Sequence, residues 1–284
     1  MIAPVLFLAP AIIGLFLFRV YPIFLAFWES LFLTSYFGGA VDRVFVGLEN
    51  YTLLLDDFVF WRSVKATAIL TVVINPVQII LALLLALLLQ RRTRYIGLIR
   101  TLFLLPIAVA LPIATVIWGL MVNPNQGLIN SMLEFVGIPA QPFLTSESQA
   151  IWVIVAIASW KGVAFWMLFL LAGLEDIPKS YSEAARIDGA SPLQQFRMIT
   201  LPLLKRAILF VTVADTTINF VLFIPIFLLT QGGPRQSTNV LMYEAYRSGF
   251  NFQDFGRSMA IVAILTVIIL LVIGVQFWIL RPRK

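Results

Sequence analysis

The 284-residue chain contains no cysteine and no histidine. The absence of cysteine excludes disulfides and thiol nucleophiles, and the absence of histidine removes imidazole acid–base chemistry and most zinc sites. Charged residues are also scarce, at 12% of the chain, whereas they make up about a quarter of an ordinary soluble domain. The sequence therefore predicts no catalytic residue and no metal site in this chain.

Apolar residues make up 61% of the chain, including 24 phenylalanines. A soluble domain of this length cannot bury so much apolar surface, so the solvent must be lipid. The charges fall in short clusters between apolar runs, which is typical of an all-α membrane protein rather than a β-barrel. About six transmembrane helices of ~20 residues fit the chain. We expect them at about residues 4–28, 66–89, 101–122, 151–174, 203–229 and 260–280.

The positive charges predict the orientation of the chain. Most of the Lys and Arg residues lie between spans two and three, between or beside spans four and five, and in the tail. They are Arg91, Arg92, Arg94 and Arg100, then Lys179, Arg186, Arg197, Lys205 and Arg206, then Arg281, Arg283 and Lys284. The positive-inside rule places all three regions, and both termini, in the cytoplasm, as an even number of spans also requires. We attribute the net charge of +6 to this topology, and expect no nucleic-acid partner.

The polar segment between spans four and five predicts a surface knob made of two short helices. Ser180 or Ser182 can cap the first helix. Gly189 can adopt the left-handed conformation that ends it, and Ser191 can cap a second helix with Pro192 at its first position. On local chemistry alone, the segment could equally be an ordinary polar connector.

The same segment carries a longer pattern. Residues 183–202 match E-A-A-x-x-x-G-x(9)-I-x-L-P at every fixed position. The segment thereby resembles the permease subunits of bacterial ABC importers. Further features are similar to the carbohydrate-uptake branch, of the maltose and glycerol-3-phosphate importer type. They are Tyr21-Pro22, residues 47–51, Trp160-Lys161, residues 174–178 and residues 229–234.

The resemblance implies a fold and a role for the knob. The fold would be that of a type I importer permease, with residues 1–284 as a single transmembrane domain and a cytoplasmic coupling loop at about 175–202. The knob would be the coupling helix, which docks in a groove of a cytoplasmic ATPase subunit. The residues that carry over to this contact and its elbow are Glu183, Ala184, Ala185, Asp188 and Gly189.

The resemblance also implies the partners. They are a homologous second permease forming a heterodimer, two ATPase subunits and an extracytoplasmic solute-binding protein, assembled in the bacterial cytoplasmic (inner) membrane. The chain lacks a G-x-x-x-x-G-K-[ST] loop, so we expect ATP and Mg to be bound and hydrolysed by the ATPase and no cofactor in this chain. The branch carries mono- and oligosaccharides and glycerol-3-phosphate, and a single sequence does not select among them.

The most polar stretch within a predicted span contains Asp215, Thr216, Thr217 and Asn219. These residues could line a substrate pathway, as the resemblance favours, or could hydrogen-bond neighbouring helices. Ile224 occupies a position where the family often has an acid, so the substrate contacts do not carry over directly.

Two further interpretations concern charges inside the membrane. Lys161 is expected to be a packing or snorkelling residue rather than a ligand. An ion-coupled secondary transporter is the alternative function, but such carriers usually show internal repeats and clustered intramembrane carboxylates. Asp215 is the one acid well inside a predicted span, which disfavours that alternative.

Overall fold

The computed structural model describes residues 2–37, 40–90 and 94–280. Helices dominate, with one two-stranded hairpin, and the predicted cytoplasmic charges Arg91, Arg92, Arg281, Arg283 and Lys284 lie outside the described residues. The elements are α1 (Ile2–Leu15), α2 (Tyr21–Glu29), β1 (Phe32–Phe37), β2 (Ala40–Phe45), α3 (Glu49–Leu55), α4 (Phe58–Leu89), α5 (Ile96–Ala108), α6 (Leu111–Met121), α7 (Leu128–Phe135), α8 (Ala150–Glu175), α9 (Lys179–Ile187), α10 (Pro192–Gln195), α11 (Leu201–Phe220), α12 (Leu241–Tyr246) and α13 (Phe255–Leu280). Single helical turns cover Phe16–Val20, Phe143–Thr145, Phe196–Thr200, Ile226–Thr230 and Arg247–Asn251.

Four helices within the described ranges are long and apolar enough to cross a membrane. They are Leu8–Glu29, Phe58–Leu89, Ala150–Glu175 and Phe255–Leu280, and the bent pair α5 and α6 makes a fifth if it is one span. The remaining predicted span contains α11, which is 20 residues long but carries Lys205, Arg206 and Asp215. The all-α membrane architecture is thus confirmed, and the sixth crossing depends on α11.

The sequence led us to expect one straight helix for the third span, but the structure has two helices there. It bends by 96° between α5 and α6. Val109 and Ala110 are extended there, with ψ of 126° and 139°. Pro112 follows near the start of α6, and a proline in a continuous helix would lose a backbone hydrogen bond and clash with the preceding turn.

The fifth predicted span is also shorter than expected. The helix ends at Phe220 instead of continuing to Leu229, and a separate helical turn covers Ile226–Thr230. The helix is interrupted at residues 221–223. Pro225 has no N–H to donate to the carbonyl of Val221, and in a continuous helix its ring would clash with that carbonyl. Other helices start earlier than hydropathy indicates: α4 begins at Phe58, because the side chain of Asp57 caps it by accepting the Val59 N–H at 2.7 Å.

A β-hairpin in the loop after α2 was not predicted. Its strands pair antiparallel from Phe32↔Phe45 to Phe37↔Ala40. The side-chain amide of Asn50 donates to the carbonyls of Ser30 (2.8 Å) and Phe32 (3.0 Å). The backbone of Gly256 lies against Phe32, where a Cβ would overlap the Phe32 carbonyl. The hairpin is therefore fastened to the start of α13.

The centre of the protein is formed by α4 and α8, which pack along each other and against α11. Small residues let these helices approach closely, as is usual in membrane proteins. Ala82 and Ala86 are fully buried, and a Cβ on Gly162 would overlap the side chain of Gln78. This contact places polar groups of both helices next to α11.

Candidate functional site: an exposed knob and a buried polar pocket

The knob (residues 179–200) begins with α9, but its cap differs from the prediction. Pro178 is the N-cap residue, and no side chain caps the helix. Ser180 and Ser182 lie inside the first turns, so the prediction that one of them caps the helix was wrong. The fixed φ of proline, here −60°, already prepares the chain for a helix that starts at Lys179.

The predicted glycine elbow is confirmed. Gly189 has φ +79°, a conformation that costs glycine little and other residues considerably more. The N–H of Ala190 donates to the carbonyl of Ala185 at 2.8 Å, and the N–H of Gly189 donates to Arg186 at 3.1 Å. These bonds satisfy carbonyls that the end of α9 would otherwise leave free.

The second helix of the knob starts where the sequence predicts, but it continues into α11 instead of ending within the knob. The hydroxyl of Ser191 accepts the Gln194 N–H, and the Gln194 side chain accepts the Ser191 N–H at 2.7 Å, which is a capping box. After Pro192, right-handed helical angles continue through the turn Phe196–Thr200 into α11. The sequence predicted a separate short helix, whereas residues 192–220 form one continuous rod.

The predicted coupling residues lie together on the protruding surface of the knob. Glu183, Ala184, Asp188 and Gly189 are exposed, and Ala185 is partly exposed. Large apolar side chains in the same region are also exposed: Tyr181, Ile187, Leu193 and Met198, with Ile187 at 87%. The knob therefore combines exposed charged and exposed apolar side chains on one surface.

Polar contacts that the sequence did not reveal fasten the base of the knob. Arg100, in α5, donates to the carboxylate of Glu175 at 2.8 Å and to the carbonyl of Leu89 at 2.8 Å and 3.2 Å. The side-chain amide of Gln90 donates to the carbonyl of Leu174 at 3.2 Å. Positive charge near the C-terminal ends of helices is favourable. These contacts join the ends of α4 and α8 to the start of α5.

The polar stretch of α11 divides into two parts. Asp215, Thr216 and Asn219 are buried, whereas Thr217 is exposed and its hydroxyl donates to the carbonyl of Val213 in its own helix. The structure thus brings together three of the four predicted pathway residues and turns the fourth away.

The three buried residues hydrogen-bond side chains on other helices. Asn219 donates its amide to Asn75 at 2.7 Å and to Asp215 at 3.0 Å. Asn75 in turn donates to the Thr216 hydroxyl at 2.7 Å. The Trp166 indole N–H donates to Asp215 at 2.6 Å. We call these five residues the buried network, which connects α4, α8 and α11.

A pocket of about 340 Å³ adjoins the buried network. Its lining includes Gln78, Lys161, Trp166, Asp215 and Asn219. Two lining oxygens, Oε1 of Gln78 and Oδ2 of Asp215, are buried without a hydrogen-bond partner among the described residues. Both oxygens retain the capacity to accept a hydrogen bond from a donor in the pocket.

Lys161 hydrogen-bonds the backbone where the third span is interrupted. Its ammonium group donates to the carbonyls of Pro106 (3.0 Å) and Val109 (2.5 Å). The interruption of the helix frees carbonyls at this end of α5, and a cation is a suitable partner for them. The lysine therefore has a packing role, as the sequence indicated, while also lining the pocket.

An ionic cluster closes the end opposite the knob. Arg257 donates to Asp57 (2.5 Å) and to the buried Glu244 (3.1 Å), and Arg247 donates to Glu244 at 2.7 Å. Burial alone would raise the pKa of Asp57, but hydrogen bonds from Arg257 and the Val59 N–H, with the arginine charge, hold that pKa below its usual value. The cluster links the starts of α4 and α13 through α12.

Apolar spans, an exposed knob at one end and a polar pocket between the helices define a membrane-embedded transport protein. The chain belongs to the family of binding-protein-dependent transport system inner membrane components, whose model matches residues 78–283. It is a multi-pass inner-membrane permease subunit of an ABC importer.

Two curated relatives match almost the whole chain. The sn-glycerol-3-phosphate transport system permease protein UgpA of Agrobacterium fabrum (strain C58) is 38% identical over 283 residues, covering 99% of this chain and 96% of the relative. The lactose transport system permease protein LacF of Rhizobium radiobacter is 35% identical over 285 residues, covering 98% and 94%. Nothing in these comparisons supports the ion-coupled alternative.

Solved structures share the fold. A bacterial ABC transporter involved in the import of the acidic polysaccharide alginate contains a chain that aligns with a TM-score of 0.83 and 22% identity, covering 97% of this chain and 93% of that one. The same transporter in complex with an alginate pentasaccharide-bound periplasmic protein gives a TM-score of 0.83 at 23% identity, covering 97% and 92%. The type I importer permease fold is thereby confirmed.

The division of the polar stretch gives a matched pair of variants. Asn219→Ala removes the interhelical bond to Asn75 and the bond to Asp215 within α11. It leaves the buried Asn75 side-chain oxygen without its donor, which costs about 1–3 kcal/mol. Thr217→Val removes an exposed hydroxyl that bonds only its own helix. We expect Asn219→Ala to lower the thermal midpoint of the detergent-purified chain by several degrees and Thr217→Val to leave it unchanged. The midpoint is measured from size-exclusion profiles recorded after heating. Equal midpoints would show that the buried network does not stabilise the fold.

Proposed function

We propose that this chain is the subunit through which a sugar or sugar-like solute, such as a sugar phosphate or oligosaccharide, passes during ATP-driven import by alternating access. The observation that carries the proposal is the near-complete match to permeases named for glycerol-3-phosphate and lactose transport. Their named solutes share hydroxyl groups on a small carbon skeleton. A polyhydroxylated solute is therefore the class that the relatives have in common.

The exposed knob supports docking to an ATPase. Glu183, Asp188 and the exposed side chain of Ile187 together offer charge and an apolar contact on one protruding surface. The chain has no phosphate-binding loop of its own, so ATP and Mg would be bound by two separate ATPase subunits. On this account, residues 175–202 form the cytoplasmic coupling loop of a single transmembrane domain with both termini in the cytoplasm.

Two further partners complete the importer. Along the first span, Leu8–Glu29, every side chain except that of Ala26 is exposed or partly exposed. Its exposed surface is available to a homologous second permease and to lipid. An extracytoplasmic binding protein would deliver the solute, as the alginate transporter's complex with its periplasmic protein suggests by analogy.

The continuous rod supplies a physical route from the knob to the pocket. The rod starts at Pro192 in the knob and carries Asp215 and Asn219 into the pocket. This separation is about 40 Å at 1.5 Å per residue. A displacement of the knob by the ATPase would move these pocket residues with it. The contacts of Arg100 would couple the same displacement to α4 and α5.

The pocket supplies acceptors for solute hydroxyls. Among the described residues that line this pocket, Asp215 Oδ2 and Gln78 Oε1 are buried oxygens without a hydrogen-bond partner, and a hydroxyl donor would satisfy either. Asp215 Oδ1 is already occupied by Trp166 and Asn219. One carboxylate would thus hold the helices together with one oxygen and contact the solute with the other.

Asp215→Asn tests the contact with the solute. The amide oxygen can keep the bonds from Trp166 and Asn219, while Oδ2 is replaced by a donor. We expect assembly to persist and the half-saturation of uptake to rise by about tenfold or more, because hydrogen bonds to charged groups contribute about 1.5–3 kcal/mol. Calorimetry first identifies the solute that the binding protein binds most tightly. The assay then measures uptake of that solute into proteoliposomes. The control is Asp56→Asn, which makes the same change at an exposed aspartate. Unchanged uptake by the Asp215→Asn variant would show that Asp215 does not contact the solute.

Gly189→Val tests the knob. Gly189 and Gly137 share φ near +80°, and a Cβ on either would meet no atom within 4 Å. Valine at either position therefore introduces similar backbone strain, of about 1–3 kcal/mol, at opposite ends of the protein. We expect Gly189→Val to reduce uptake and recovery of the ATPase with the permease by about tenfold or more, and Gly137→Val to reduce neither. Equal behaviour of the two variants at equal membrane levels would contradict the coupling role.

A further inference from the structure

The short helix α7 presents an unpartnered apolar face at the end of the protein opposite the knob. It begins at Leu128, shortly after the third span ends at Met121, and it contacts α6. α8 starts at Ala150 on this side and reaches the knob at its other end, Glu175. α7 therefore lies where a membrane-spanning helix leaves the membrane.

The surface of α7 is divided into three sectors. Ile129, Asn130 and Leu133 are buried or partly buried and face the protein. Ser131 and Glu134 form an exposed polar sector. The remaining sector is apolar and exposed by more than half at each residue, reaching 91% at Phe135. Its members are Leu128, Met132, Phe135 and Val136.

The orientation of α7 is fixed by its protein-facing sector. The side-chain amide of Asn130 donates to the carbonyls of Pro124 and Gln141, both at 2.9 Å, and its oxygen accepts the Gln141 N–H at 2.9 Å. Ile129 packs against the cluster that contains Val122 and Val153. Because these contacts set the rotation of α7, its apolar sector cannot turn inward.

The exposed apolar surface continues onto α6, the second helix of the bent pair. Ile113, Ile117 and Leu120 repeat at helical spacing on α6 and are 58%, 48% and 68% exposed. A span of this composition meets lipid with such a face. The apolar sector of α7 thus extends a lipid-facing surface, with a polar sector beside it for the aqueous side.

We propose that α7 is an interfacial membrane anchor, with the side chains of Leu128, Met132, Phe135 and Val136 inserted among phospholipid chains at the membrane surface. Helices that lie in the membrane plane have a large apolar sector beside a polar one, and α7 is divided in this way, with Ser131 and Glu134 on its polar side. The anchor fixes the end of the bent third span at a defined depth. This assignment depends on the membrane location of the chain and not on the identity of the solute.

The absence of cysteine allows a direct test. Single cysteines are introduced at Met132 and Phe135, and at Ser131 and Glu134 as controls on the polar sector. Each is labelled with a small fluorophore in the complete complex, reconstituted in phosphatidylcholine vesicles. Quenching is then measured with spin-labelled lipid and, separately, with aqueous iodide.

We expect lipid quenching at Met132 and Phe135 to exceed that at Ser131 and Glu134 by about threefold or more, with the reverse order for iodide. Two results would overturn the anchor. Quenching of Phe135 by iodide as strong as that of Glu134 would place this sector in water. Protection of Met132 and Phe135 from both quenchers would mean that another protein subunit covers it.

Discussion

The buried network among α4, α8 and α11 is the constraint on which the rest of the structure depends. A lipid-embedded chain has no water to satisfy polar side chains, so each must find a partner on a neighbouring helix. Asn219 finds its partner in Asn75 of α4, and Asp215 finds its partner in Trp166 of α8, so these bonds fix how the three helices rotate and pack. Gln276 of α13 joins them through the Thr216 hydroxyl at 2.7 Å. The same residues leave one carboxylate oxygen free at the pocket.

This arrangement connects stability with transport. The helix that carries the network residues is continuous with the knob, so in the proposed mechanism a movement of the knob would be transmitted to the pocket lining. The opposite end is held by the ionic cluster around Arg257 and by the hairpin against Gly256. One end of the protein is thus held by contacts within the chain, while the knob at the other end has exposed charged and apolar side chains.

Features with short-range causes could be predicted from the sequence. The left-handed Gly189 and the capped start at Ser191 depend on residues within one turn, and the structure contains both. Features that depend on distant partners could not. Asn75 lies 144 residues from its partner Asn219, and Trp166 lies 49 residues from its partner Asp215. Nothing local marks either residue as a partner. Hydropathy is averaged over the whole third span, so it does not reveal the 96° bend. Pro112 could have indicated a break, because proline disfavours a continuous helix.

The central claim is that transport through this chain is driven by a separate ATPase and not by an ion gradient. Its most direct test is solute uptake into proteoliposomes containing this chain, its second permease and the ATPase, with the loaded binding protein outside the transport barrier. The account predicts that uptake requires ATP on the knob side together with the binding protein, and that dissipating proton and sodium gradients changes nothing. Uptake by the permease subunits alone, driven by an imposed ion gradient without ATP, would contradict it.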